Sequence, residues 1–166
     1  MKPFIGRGDN GFTDTLGKKN ISKGDLLIEV IGDIDEAIAF LSWSTCQITH
    51  PDVKSTLSHI ILDLSNLMAV LAGENSISFE SDRILWLEET IKKYGSSVIE
   101  PKGFKFDWKN LGSNALNITR TVIRRLERRF VQFIDQPQMP NQKLIYVNRL
   151  SSLIYVLQNF LEQYNE

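Results

Sequence analysis

From residue 34 onward, apolar residues recur every three or four positions, the spacing of a single helical face. Ile34, Ala37, Ile38, Leu41, Thr45 and Ile48 form the first such stripe. Asp33, Asp35 and Glu36 stand in its first turn, where carboxylates suit the positive end of the helix dipole. Pro51 predicts its end. A second helix is predicted from Pro51-Asp52 to about Ala72, through Val53, Leu57, Ile60 or Ile61, Leu64, Leu67 or Met68, and Leu71, with Gly73 as a natural stop. A third runs from about Glu80 to Tyr94 with Ile84, Trp86, Leu87 and Ile91, closed by Gly95. The fourth, about Ser113 to Ile134, carries a bundle seam of Leu116, Thr119, Ile123, Leu126, Phe130 and Phe133. The fifth, about Asn141 to Gln163, is apolar on most sides, which predicts a central position or a subunit interface.

The first 30 residues read differently. Glycines at 6, 8, 11, 17 and 24 alternate with Asp9, Asp14 and Asp25, and no helical period appears. This pattern predicts an irregular arm with one short strand at Leu26–Val30. Residues 95–112 form a long connection in which Phe104, Phe106 and Trp108 alternate with Lys105 and Asp107. Connections longer than about 12–15 residues are often functional. The expected fold is an all-α, five-helix bundle with up-down packing of the ferritin-like kind. Residues 1–30 form a glycine-rich nucleotide-binding arm and residues 31–166 the helical bundle, together a single domain.

Composition narrows the function. The 166 residues carry 19 Lys and Arg against 20 Asp and Glu, a net charge of −1. A globally basic nucleic-acid binder is not expected. The start lacks the apolar core of a signal peptide, and Ile60–Ala72 is interrupted by Asp63, Ser65 and Asn66, so no membrane span is expected and a cytoplasmic setting is. Cys46 is the lone cysteine, expected as a small buried hydrophobe. One thiol and two unpaired histidine motifs give no zinc site and no nucleophilic triad.

Candidate chemistry concentrates in three places. Arg120, Arg124, Arg125, Arg128 and Arg129 fall within ten residues of the fourth helix, opposed only by Glu127. Arg120, Arg124 and Arg128, four apart, share one face, where like charges repel unless an anion or acids from elsewhere meet them. Three readings stand: a solvated face paired with neighbouring acids, a polyanion site suited to guanidinium forks, or a nucleic-acid contact. The second place is Arg7-Gly8-Asp9-Asn10-Gly11-Phe12-Thr13-Asp14, whose glycines let backbone amides approach a phosphate, although it is neither a Walker loop nor a Rossmann fingerprint. The third is Asn148-Arg149-Leu150-Ser151, polar residues inside an apolar helix that must find partners.

Together these motifs resemble the PduO-type ATP:cob(I)alamin adenosyltransferases. The resemblance rests on the glycine loop, Ser22-Lys23, the run Glu29, Gly32, Asp35 and Glu36, the helix Arg120-Thr121-Val122-Ile123-Arg124-Arg125-Leu126-Glu127-Arg128, and Asn148-Arg149-Leu150-Ser151, in order over about residues 4–160. It implies transfer of the 5′-deoxyadenosyl group of ATP to Co(I) of a corrinoid, with triphosphate leaving. It further implies a homotrimer with ATP, carried with Mg²⁺, between subunits. Arg7, Gly8, Asp9, Gly11, Thr13 and Lys23 of one subunit would meet Arg124, Arg125, Glu127, Arg128 and Asn148 of its neighbour. Arg120, Arg124 and Asp35 would be catalytic, with Arg120 paired to Asp35 across the interface, and Phe104 would line the corrinoid pocket. No side chains are expected to hold the metal unaided. A reductase and an adenosylcobalamin-dependent enzyme are the implied functional partners. The sequence departs from the family pattern at Ile5, Gly6, Asp107-Trp108-Lys109 and Ser152. A trimeric binding module that holds ATP or adenosylcobalamin without efficient transfer is the alternative reading.

Overall fold

The computed structural model describes residues 5–6, 8–79, 81–99, 103, 109–134 and 141–164. Within them, a small antiparallel ribbon of β1 (Phe12–Thr13) and β2 (Ile21–Ser22) precedes α1 (Leu26–Gln47), α2 (Pro51–Ala72), α3 (Asp82–Gly95), α4 (Leu111–Phe133) and α5 (Gln142–Gln163). In the ribbon Phe12 faces Ser22 and Thr13 faces Ile21. The architecture is the all-α bundle that the apolar periodicity predicts. Helix α1 packs on α2 and α4, while α5 packs on α4 and α3. The helices thus pack in the order α2, α1, α4, α5, α3, with α4 rather than α5 in the middle; α5, between α4 and α3, buries Tyr146, Val147, Leu150, Leu153, Ile154, Leu157 and Leu161.

One expectation is corrected. Leu26–Val30 is not a strand but the opening of α1. The Asp25 carboxylate caps this start by accepting the Leu27 N–H at 2.9 Å. Leu27, Val30, Ile34, Ala37 and Leu41 then follow spacings of three and four, and all are buried. Gly32 lies on the exposed face with nothing near its missing Cβ. A helical glycine costs about 0.5–1 kcal/mol. Burying Leu27 and Val30 returns about 1.5–3 kcal/mol each, so the helix runs through it. Cys46 also differs from expectation. It is exposed, because Ser42, Trp43 and Cys46 form the outer face of α1 while Leu41, Ser44 and Ile48 point inward.

Helix α2 is long and apolar enough to cross a membrane by length and hydropathy alone. The bundle gives its apolar residues another use: Val53, Leu57, Ile60, Leu64 and Leu67 are fully buried in the common core. Asp63 is buried on that same face, where it accepts from Arg83 of α3 and from the Tyr146 hydroxyl of α5. Burial, reinforced by the Asp63 charge, pushes the Tyr146 hydroxyl well above its ordinary pKa, so it remains a hydrogen-bond donor.

The arm is attached at the far end of α2. Gly73 ends that helix in the left-handed region, at φ +105°. The Gly17 N–H donates to the Ala72 carbonyl at 2.8 Å. The two glycine backbones lie so close that a Cβ on Gly73 would come within 2.5 Å of Gly17. Gly73→Ala is therefore expected to lose about 1–2 kcal/mol from backbone strain alone, and to free the arm for proteolysis. Gly32→Ala is expected to stabilise the protein by about 0.5–1 kcal/mol. Urea unfolding of the two variants should show these opposite signs.

Candidate functional site

Helix α4 is amphipathic, with Leu116, Thr119, Ile123, Leu126 and Phe130 turned inward. Its register against α1 is antiparallel and is set by polar contacts at both ends. Near the start of α4, Ser44 and Thr119 share a buried hydroxyl hydrogen bond of 2.9 Å. Toward its end, Arg125 donates to Glu36 and Arg129 to Glu29. Asp33 sits between them, 3.7 Å from Arg125 Nε and 3.5 Å from Arg129 Nε. Its Oδ2 is buried and makes ion-pair rather than hydrogen-bond geometry. The hydrogen bond to Glu36, with the charges of Glu36 and Asp33, raises the Arg125 pKa above its ordinary value.

This ladder divides the five arginines. Arg125 and Arg129 face three carboxylates of α1. Arg120, Arg124 and Arg128 lie on the other ridge, where among the described residues the paired carboxylate is Glu127. Arg124 Nη1 donates to Glu127 Oε2 at 2.8 Å, and Arg128 Nη1 donates to the Arg124 carbonyl at 3.0 Å. Asn148 of α5 donates to Glu127 Oε1 at 2.7 Å. Arg120 donates to Asn117 at 3.0 Å, while its Nε is buried without a partner among the described residues. Among the described residues, three guanidiniums against one carboxylate leave this ridge with an excess of positive charge. Such a surface suits a polyanion, since guanidinium forks match phosphate oxygens.

The arm forms a second cluster. Gly8, Asn10, Phe12, Thr13, Asp14, Asn20 and Lys23 line a cleft of about 510 Å³, in which the Asp14 carboxylate accepts from the Asn20 N–H and lies 3.6 Å from Lys19 Nζ. Gly8 adopts φ +86°, and its missing Cβ would fall 3.1 Å from the Phe12 carbonyl and 2.9 Å from Lys23 Nζ. The glycine thus lets the Lys23 ammonium lie over the loop backbone. The Gly11 N–H donates to the Gly8 carbonyl and the Lys23 N–H to the Gly11 carbonyl, which close the turn. Thr13 adds a hydroxyl held in β1. An ammonium, a hydroxyl and two side-chain amides around a concave backbone can bind phosphate oxygens.

The structure therefore brings Gly8, Thr13 and Lys23 together, and separately Arg124, Glu127, Arg128 and Asn148. No hydrogen bond or ion pair joins the two sets among the described residues. Asp9 and Gly11 belong to the same loop turn as Gly8. Asp35 is exposed on α1 and is not paired with Arg120 within the chain. Arg7 and Phe104 lie outside the described residues. No cluster of three or more His, Cys, Asp or Glu able to hold a metal occurs among the described residues. Sequence reasoning did not single out Asn20, which stands at φ +55° with its N–H on Asp14 Oδ1 at 2.9 Å. Its signal was the Lys18-Lys19-Asn20 turn before β2, since asparagine tolerates the left-handed region.

Comparison with known proteins bears on this arrangement. The family model described as Cobalamin adenosyltransferase matches residues 4–161. A corrinoid adenosyltransferase, MMAB, of Bos taurus is 30% identical over 96% of this chain and 70% of its own length. The corrinoid adenosyltransferase PduO of Citrobacter freundii is 30% identical over 95% of this chain, which spans about half (49%) of that relative. A variant of the PduO-type ATP:corrinoid adenosyltransferase from Lactobacillus reuteri, complexed with cobalamin and ATP, superposes with a TM-score of 0.84. It shares 27% identity over 96% of this chain and 92% of its own.

The division of α4 can be tested by stability alone. Arg125→Ala removes a water-exposed pair to Glu36, which adds little, and a cation from the buried Asp33, and the second loss is expected to cost about 1 kcal/mol. Arg128→Ala, on the exposed ridge, is expected to change stability by less than about 0.5 kcal/mol. Equal losses in urea unfolding would contradict the division.

Proposed function

This chain belongs to the cobalamin adenosyltransferase family, and on that premise we propose that it transfers the 5′-deoxyadenosyl group of ATP to Co(I) of a corrinoid and releases triphosphate. The observation that carries the reading is the α4 ridge, where Arg120, Arg124 and Arg128 face one carboxylate among the described residues. A leaving triphosphate gathers negative charge as the bond from its oxygen to the 5′ carbon breaks. Guanidiniums fixed where that charge develops lower the barrier without reorganising. The nucleophile is the cobalt of the substrate, so no side-chain nucleophile is required.

The ATP site is shared between subunits of a homotrimer in this reading. The arm of one subunit supplies Arg7, Gly8, Asp9, Gly11, Thr13 and Lys23 to the triphosphate, and the neighbour supplies Arg124, Glu127, Arg128 and Asn148. Arg125 lends charge from the adjacent ladder while Glu36 and Asp33 hold it in place. Two features support an interface here: among the described residues no hydrogen bond or ion pair joins the arm cleft to the arginine ridge, and Arg120 Nε is buried without a partner while Asp35 is exposed. Arg120 and Asp35 of adjacent subunits would satisfy each other and order the site. Phe104 completes the corrinoid pocket and excludes water from cobalt.

Mg²⁺ fits the donor set as a cation carried by the nucleotide. Asp9 and Thr13 offer one carboxylate and one hydroxyl near the phosphate cleft, too few for a closed protein cage. Mg²⁺ commonly keeps water and phosphate oxygens and takes only one or two protein ligands. When bound, it neutralises phosphate charge. The single free thiol, Cys46, suits a reducing cytoplasmic setting. A reductase that supplies Co(I) and an enzyme that uses adenosylcobalamin are the partners this reaction requires.

An anaerobic assay with ATP, Mg²⁺ and chemically reduced cob(I)alamin tests the reading. Adenosylcobalamin should form with an equal amount of triphosphate. Arg124→Ala should lower turnover by about 100-fold or more with an unchanged circular dichroism spectrum. ATP binding with no product in a single turnover would instead support a binding module.

A further inference from the structure

The hydrogen bonds that hold Arg124 do not end at Glu127. Glu127 accepts from Asn148 Nδ2 at 2.7 Å, and Asn148 Oδ1 accepts from Arg149 Nη1 at 3.1 Å. Arg149 Nε in turn donates to Glu88 Oε1 of α3 at 2.9 Å. One relay thus crosses three helices, from Glu88 on α3, through α5, to Arg124 on α4.

Each step of this relay has a single polarity. Arginine only donates, and a carboxylate only accepts. Asn148 can join Arg149 to Glu127 in one way: carbonyl toward Arg149, amino group toward Glu127. Glu127 already draws the amino group toward itself, and the Arg149 guanidinium at Oδ1 fixes the same amide plane from its other side. Glu88 is what holds Arg149 in place.

We infer that Glu88 is a positioning residue for adenosyl transfer: by holding Arg149 it fixes the Asn148 amide, and through Glu127 the guanidinium of Arg124. This rests on the reading that Arg124 faces the triphosphate. Stability is not the role of the Glu88–Arg149 pair. Its side chains are 38% and 42% exposed, and pairs that open to water add little to folding. Its effect is orientational, and catalysis depends on orientation far more steeply than folding does.

The test compares wild type with Glu88→Ala, Glu88→Gln, Asn148→Ala, the Glu88→Ala/Asn148→Ala double variant and Arg124→Ala. Each is assayed anaerobically with ATP and chemically reduced cobalamin. Glu88→Ala should lower kcat/KM for ATP by about five- to twentyfold while KM for the corrinoid stays within about twofold. Glu88→Gln, which keeps an acceptor at the same place, should recover most of the loss. In the Asn148→Ala background, Glu88→Ala should cost nothing further, because the relay is already cut. Wild-type ATP constants in Glu88→Ala beside a severely impaired Arg124→Ala would overturn the positioning role. So would losses in the double variant that simply multiply. Wild-type ATP constants in Arg124→Ala would overturn the triphosphate reading itself, and the positioning role with it.

Discussion

The rotation of α4 about its own axis is the constraint on which the rest of this structure depends. Five arginines within ten residues cannot share one face without mutual repulsion. The acids Glu29, Asp33 and Glu36 of α1 draw Arg125 and Arg129 to one side. The seam of Leu116, Ile123, Leu126 and Phe130 is buried below. With those two directions taken, Arg120, Arg124 and Arg128 are left to project from the remaining ridge. The same ion pairs that dock α4 on α1 therefore create the positive surface, and Glu127 orders that surface without neutralising it.

Such a surface is costly unless an anion uses it, and the glycine arm offers the complementary half of a phosphate site. The arm is anchored through its own Gly17, by the close approach of Gly17 and Gly73 at the end of α2. Lys23, Thr13 and the Gly8 turn are thereby presented as a fixed cleft. Among the described residues no hydrogen bond or ion pair joins the arm to the ridge within one chain, and none reaches Arg120 Nε. In the proposed trimer a second copy brings the two halves around one triphosphate, so the proposed site, the proposed trimer and the Arg120 Nε belong to a single account.

Much of the fold was legible because each helix buries one stripe, and a stripe at spacings of three and four is readable in one dimension. The caps were less so. Leu26-Leu27-Ile28 and Val30 make a nearly continuous apolar run before a glycine, which resembles a strand, and only the Asp25 cap and the phase shared with Ile34 mark it as helix. Cys46 was expected inside because cysteines usually are, but its position relative to Leu41 and Ile48 places it outside. The arginine ridge was visible from its spacing of four. The partition of Arg125 and Arg129 was not, because their partners lie 89 and 100 residues away in sequence. The Glu88 relay was hidden for the same reason: α3 and α5 meet only in the folded bundle, and Glu88 stands in no local motif.

The most direct test of the shared site is subunit complementation. Lys23→Ala disables the arm and leaves the ridge, while Arg124→Ala disables the ridge and leaves the arm. Each variant alone should be nearly inactive in adenosyl transfer. Equal amounts unfolded, mixed and refolded together should regain about one quarter of wild-type activity, since an intact arm and an intact neighbouring ridge each occur with a chance of about one half. No recovery from mixed assemblies, with both variants folded and assembled, would contradict a site built from two subunits.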